Sequence, residues 1–182
     1  MLKQIKAVLW GGGPLTNLFR SAVVLVTLLL AAIYCSTASF AKDPWWFKSD
    51  FADRPNRVVV YHDGQRTELQ SGDAGFNELA DAVTASLAGG VLRQSDAGLS
   101  DVSRQEAYAR YVTVEAFFAQ PVTLHAGFYT GHPTQMLFPI TGRHSDFSIV
   151  FLGSDGEYWV NAPALKTTEP LRQAVKELGY VK

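Results

Sequence analysis

The sequence predicts an α+β protein, with an N-terminal single transmembrane helix followed by a small domain whose mainly antiparallel sheet is covered by two helices. Three observations carry this expectation. A charge-free apolar segment lies near the N-terminus, tight-turn signals separate successive β-branched runs, and two stretches with a 3.6-residue apolar period flank the block of strands.

The apolar segment stands out by charge. No Asp or Glu occurs before Asp43, and 16 of the 21 residues from Ser21 to Ala41 are apolar. As a helix this stretch is about 31 Å long, enough to cross a hydrocarbon core of about 30 Å. Its most apolar part, Ala22 to Tyr34, is also short enough for a signal-peptide core, and Ser39 and Ala41 have the small-x-small spacing of a cleavage site. Secretion after cleavage near Ala41 is therefore the alternative to a retained anchor. Trp45 and Trp46 follow at once and are expected at the membrane–water interface, where amphipathic aromatics are enriched.

A basic leader, an apolar core, a small-residue region and then a large domain form the export layout. The expected location is the cell membrane, single-pass, with the C-terminal domain extracytoplasmic. The divisions are a cytoplasmic stub at 1–20, the transmembrane helix or signal-anchor at 21–41, a tether at 42–56 and the exported domain at 57–182. Gly11-Gly-Gly13-Pro14 reads as a joint within the leader, since no Lys-Ser/Thr follows to form a phosphate loop. The single Cys, Cys35, lies in the apolar segment, so the domain has no disulfide.

In the domain, Asp63-Gly64 between two short runs predicts a hairpin over 57–69. Asp73 is expected to cap a helix carrying Phe76, Leu79, Ala80, Val83 and Leu87 on one face, ending at Gly89-Gly90. Residues 91–102 read as loop, and Ser103 with Glu106 has the spacing of a capping box that opens a short helix. Strands are expected over 111–118, 122–125, 136–140, 147–152 and 157–160, with a tight turn at Gly153-Ser-Asp-Gly156. Glu169-Pro170 opens a last helix, with Leu171, Ala174, Val175 and Leu178 on one face, and Gly179 stops it. Helices are expected on one face of the sheet. The absence of βαβ alternation argues against a doubly wound nucleotide-binding fold.

The chain carries 16 Lys and Arg against 17 Asp and Glu, and the part after Ala41 carries 13 against 17. A mildly acidic domain without basic, aromatic-interleaved patches excludes a nucleic-acid partner. Signatures of serine hydrolases, zinc proteases, thiol redox enzymes and calcium sensors are missing. The remaining chemical constellation is His125, His132 and His144, with Asp146 or Asp155 near in sequence. Imidazoles and a carboxylate suit a zinc ion that keeps one open position and there activates water, but no pair has the spacing of one strand face or one helix turn. Independent histidines are the simpler expectation, so no metal or other cofactor is assigned. Glu115, on a strand face with Tyr111, Thr113 and Phe117, is either a buried acid of raised pKa or, the simpler expectation, exposed or salt-bridged.

The segment from Ala126 to Gln135 holds two Gly, one Pro and the Phe128-Tyr129 pair. Connections of this length are often binding loops, and Phe128, Tyr129 and His132 are its candidate contacts; the alternative is that the aromatics fold back onto the core. The expected function is a membrane-anchored interaction or sensing domain without catalysis. Its partners are the lipid bilayer and a protein or small ligand outside the cytoplasm. A small exported metal-dependent hydrolase using His125, His132 or His144, and a structural subunit of a membrane complex, are the alternatives.

Overall fold

The computed structural model describes residues 13–181. Most of the leader expected as a stub, including Lys3, Lys6, Gly11 and Gly12, lies outside the described residues. The first helix, α1 (Pro14–Ala41), starts earlier than the 21–41 segment expected, with Pro14 at its first turn, where a missing N–H costs nothing. Its 28 residues span about 42 Å. Apolar side chains such as Leu25, Leu28 and Ile33 are exposed along its length, and Ala41, in its final turn, is buried.

The domain is built on an antiparallel sheet in the order β2-β1-β4-β5-β6-β7, comprising β1 (Arg57–His62), β2 (Gln65–Gln70), β4 (Thr113–Phe117), β5 (Gln135–Pro139), β6 (Phe151–Ser154) and β7 (Glu157–Tyr158). The α+β class and the antiparallel pairing match the sequence pattern. Asp63 and Gly64 take the positive φ angles of the β1–β2 turn, and Asp155 and Gly156 do the same between β6 and β7.

Both faces of the sheet are covered, which explains why its central strands are apolar without clean alternation. Val58, Val60, Val114, Ala116, Met136, Phe138 and Leu152 point into the larger core beneath α2 (Phe76–Ala88) and α4 (Glu169–Glu177). These are the two helices whose apolar faces the 3.6-residue period predicts. On the opposite face Leu137 and Phe151 pack with Ile149, Ala162 and Ala164. α3 (Asp101–Arg110) packs on that face through Tyr108, and a two-stranded ribbon of β3 (Val91–Gln94) and β8 (Pro163–Leu165) straddles the sheet edge, Ala164 joining this cluster while Val91 and Leu165 pack with the larger core.

Several local expectations are corrected. Helices lie on both faces, because α3 packs on the side opposite α2 and α4. Residues 91–94 form β3 although three of the four side chains are exposed; their partner lies some 70 residues on, so local alternation carries no signal. Ser100, not Ser103, caps α3, its hydroxyl accepting from the Ser103 N–H at 3.2 Å. Asp73 accepts from the Gln70 N–H at 2.7 Å and closes the turn before α2 rather than capping it. Residues 122–125 are not a strand, and Ser145–Phe147 is a single 3-10 turn, with Ser148 at φ 49° before β6 begins.

The segment expected as a tether is fastened to the domain. Phe51 is buried edge-to-face against Phe118, their ring centres 6.0 Å apart. Arg54 bonds Asp81 and Asn77 on α2, and the Thr84 hydroxyl donates to the Asp53 carbonyl.

Two glycines of the β6–β7 hairpin are needed for different reasons. A Cβ on Gly153 would lie 1.9 Å from the Glu157 carbonyl oxygen, whereas one on Gly156, at φ +84°, would meet nothing within 4 Å. Gly153→Ala is expected to lower the free energy of unfolding by about 3 kcal/mol, and Gly156→Ala by about 1 kcal/mol, as read from urea unfolding. Equal costs would contradict this reading of the hairpin.

Candidate functional site

Glu115 sits at the centre of β4 and is 5% exposed. A carboxylate removed from water is retained only where hydrogen bonds replace its hydration. Three hydroxyls do this, from elements far apart in sequence. Tyr61 of β1 donates to Oε2 at 3.0 Å, while Tyr108 of α3 and Tyr158 of β7 donate to Oε1 at 2.5 and 2.6 Å. The Tyr61 and Tyr108 rings also stack, 4.1 Å between centres. The simpler expectation for Glu115, exposed or salt-bridged, is thus corrected. Its partners are aromatic hydroxyls, and all three lie outside the strand pattern on which that expectation rests.

Burial pushes all three tyrosine hydroxyls above their ordinary range, and the neighbouring Glu115 charge and hydrogen bonds add to this. At neutral pH they are donors held in place, not acids ready to ionise.

β7 carries this constraint towards the surface. Tyr158 turns to Glu115, so the next residue, Trp159, turns its indole to the opposite side, where it packs against the larger core, while its backbone N–H donates to the Leu152 carbonyl at 2.8 Å. Gly131, at φ +72°, lies against the indole so closely that a Cβ there would be 2.3 Å from the ring. Loop 126–135 and the segment after β7 meet at this contact and enclose a cleft of about 450 Å³, within the size range of small-ligand sites. Tyr129, His132, Trp159, Asn161 and Gln94 supply its functional side chains, over an apolar floor that includes Leu152 and Pro163.

Of the loop residues expected to bind, Tyr129 and His132 line this cleft and Phe128 does not. Tyr129 is 47% exposed and has not folded into the core. Its ring lies edge-on to His132, 6.4 Å between centres, and carries the Lys42 ammonium 4.6 Å from its own centre. Nothing in the sequence pattern singles out Trp159, Asn161 or Gln94. The pattern puts Trp159 inside a strand over 157–160, whereas β7 ends at Tyr158 and leaves the indole at the start of the segment that lines the cleft; the contribution of Gln94 depends on the β3–β8 pairing and has no local signature.

Lys42 belongs to the end of α1, so the loop and the helix meet. Lys42 takes a left-handed conformation, φ 53°, that ends the helix, and the Asp43 carboxylate then accepts from the Trp45 N–H at 2.8 Å. The other Asp43 oxygen lies 2.6 Å from His125 Nδ1, while His125 Nε2 is 3.7 Å from Asp50. The chain turns back along the helix, where the Tyr34 hydroxyl donates to the Pro44 carbonyl at 3.0 Å and Trp45, Trp46 and Phe47 form edge contacts. Trp45 is half exposed, and Trp46 lies near Gly127 of the loop.

The three histidines do not converge. His125 is paired with Asp43, His132 Nδ1 lies 3.3 Å from the Thr123 hydroxyl, and His144 packs edge-on to Phe151. Burial, with Arg143 adding to it, holds His144 below the usual imidazole range. Among the described residues no group of three His, Cys, Asp or Glu is placed to hold a metal ion. Comparison with known families, curated proteins and solved structures finds no match.

The hub of tyrosines sets a pH dependence. In the unfolded chain these hydroxyls ionise near pH 10, whereas in the fold they are held higher, so their contribution to stability is complete below about pH 10 and is lost as pH rises further. The urea midpoint is expected to fall above about pH 10, together with the rise of tyrosinate absorbance, and to fall less steeply in Tyr158→Phe. Tyrosinate appearing in full while the protein is still folded would contradict the arrangement.

Proposed function

We propose that the chain is a single-pass membrane protein whose extracytoplasmic domain binds a ligand in the cleft between loop 126–135 and the segment following Trp159, without chemical turnover. The observation that carries this reading is the cleft itself: aromatic and polar side chains from three separate segments converge there, at a loop that touches the end of the apolar helix.

The composition of the lining supports binding over catalysis. No Asp, Glu, Ser, Cys or Lys contributes to it, and its threonine, Thr130, donates its hydroxyl to the Leu124 carbonyl at 2.9 Å. A nucleophile with an adjacent base, the usual requirement for covalent catalysis, has no counterpart there.

Membrane attachment is supported by α1, which is long and apolar enough to cross a bilayer and has none of its most apolar stretch buried. Retention of the helix is favoured over cleavage near Ala41 because that bond lies at the last helical turn, with Ala41 buried and Asp43 held by His125. A processing peptidase needs the chain extended and accessible. The layout of basic leader, apolar core, small-residue region and large following domain supports the outward orientation.

Placing a charge in the middle of α1 tests the anchor. Val26→Asp, which costs about 3 kcal/mol at a bilayer centre, is expected to move the protein out of the carbonate-resistant membrane fraction, and intact mass is expected to show residues 1–41 still present in the wild type. A variant that stays membrane-embedded contradicts the anchor.

The binding site is tested by a photo-crosslinking amino acid placed at Val160, which lines the cleft and is 73% exposed, or at Phe147, which is 62% exposed and does not line it. In native membranes an adduct is expected from position 160 and not from 147, and it is expected to disappear with Trp159→Ala. Equal adducts from both positions, or none from 160, contradict the site.

A further inference from the structure

The chemistry of the cleft narrows the ligand, an inference that rests on the binding reading above. We infer that the cleft takes a neutral, polyhydroxylated ligand, a short segment of uncharged oligosaccharide, stacked on Trp159 and Tyr129 and hydrogen-bonded by Gln94 and Asn161.

The first argument is charge. None of the eleven lining residues is Asp, Glu, Lys or Arg. An ionic ligand would lose hydration on entering without gaining a counter-charge. Lys42, which touches Tyr129, does not itself line the cleft.

The second is the state of the polar groups. Among the described residues, the side-chain amides of Gln94 and Asn161, the Tyr129 hydroxyl and the Trp159 indole N–H make no hydrogen bond to another protein group, and Gln94, Tyr129 and Asn161 are exposed. An amide offers a donor and an acceptor side by side, which matches a pair of adjacent hydroxyls, each both donor and acceptor. Such groups beside aromatic surface suit a ring that is apolar on its C–H face and polar at its edge.

The third is rigidity. Gly131 backs the Trp159 indole, and Tyr129 is bracketed by Lys42 and His132. Aromatic walls that are already fixed lose little freedom when a ligand is stacked on them. A peptide added as a strand is less well served, because the outer strand β7 has only two residues and offers little main-chain register.

The test uses the full chain in lipid nanodiscs, which avoids glycoside detergents. Saturation-transfer NMR and calorimetry are run with neutral chitotetraose, cellotetraose and maltotetraose, and with anionic oligogalacturonate and cationic chitosan oligomers of similar length. At least one neutral saccharide is expected to bind. Its affinity is expected to fall about tenfold or more, about 1.4 kcal/mol, with Asn161→Ala and with Tyr129→Ala, and to be unchanged by Phe147→Ala.

Trp159→Ala is included with a thermal melt, because the indole also packs against the core; the Asn161 and Tyr129 variants keep the test decisive if that variant does not fold. Binding confined to the charged oligomers, no saccharide binding, or neutral binding indifferent to both Asn161→Ala and Tyr129→Ala overturns the inference. A crosslink adduct from position 160 without saccharide binding overturns the ligand class and leaves the site standing, whereas loss of both overturns site and ligand together.

Discussion

The Glu115 carboxylate lies on the middle of the sheet with water excluded, and its retention there requires three tyrosine hydroxyls to reach it at once. Those hydroxyls come from β1, α3 and β7, so one side chain ties a neighbouring strand, the helix on the second face and the outermost strand to a single point. A hydrophobic residue in its place would exert no such directional demand. The larger core under α2 and α4 is held by apolar burial, which is non-directional; the second face adds the directional Glu115 bonds to its own apolar cluster of Leu137, Ile149 and Phe151. Because Tyr158 must face Glu115, Trp159 must face the other side, and the wall of the cleft follows from strand alternation.

The same logic of fixed neighbours applies where the apolar helix meets the domain. Asp43 bridges the helix end and His125, Lys42 covers Tyr129, and Trp46 lies near Gly127. Each contact is modest alone, an exposed cation–aromatic pair contributing about 0.5–1 kcal/mol. Together they join the helix end to the loop that forms one side of the cleft. Under the proposed orientation, the ligand site would therefore be held in a set relation to the membrane surface, as suits a module that reads something presented close to the bilayer.

What was legible in the sequence divides along the range of the interactions. The β1–β2 hairpin, α2, α4 and the β6–β7 turn are each encoded within a few residues, by Asp63-Gly64, by Leu79 and Val83 at helical spacing, by Glu169-Pro170 and by Asp155-Gly156. They stand where the pattern puts them. β3 pairs with β8 across some 70 residues, and its exposed Leu92, Arg93 and Gln94 give no alternation, so it was invisible locally. In the candidate site, loop length and composition point to Tyr129 and His132. Trp159, Asn161 and Gln94 carry no local signal because they meet the loop only through the closed sheet and the β3–β8 pairing. Glu115 shows the same limit: its own strand suggested an exposed or paired acid, and the partners that keep it buried, Tyr61, Tyr108 and Tyr158, are 54, 7 and 43 residues away.

Amide hydrogen exchange on the full chain in nanodiscs, comparing the wild type with Glu115→Leu, tests most directly whether the buried carboxylate sets the second face and the cleft wall. Faster exchange is predicted in residues 101–110 and 157–163, where α3 and the β7 segment lose their common anchor, with α2 and α4 keeping their protection. Uniform loss of protection across both faces, or unchanged exchange in residues 157–163, would contradict the account.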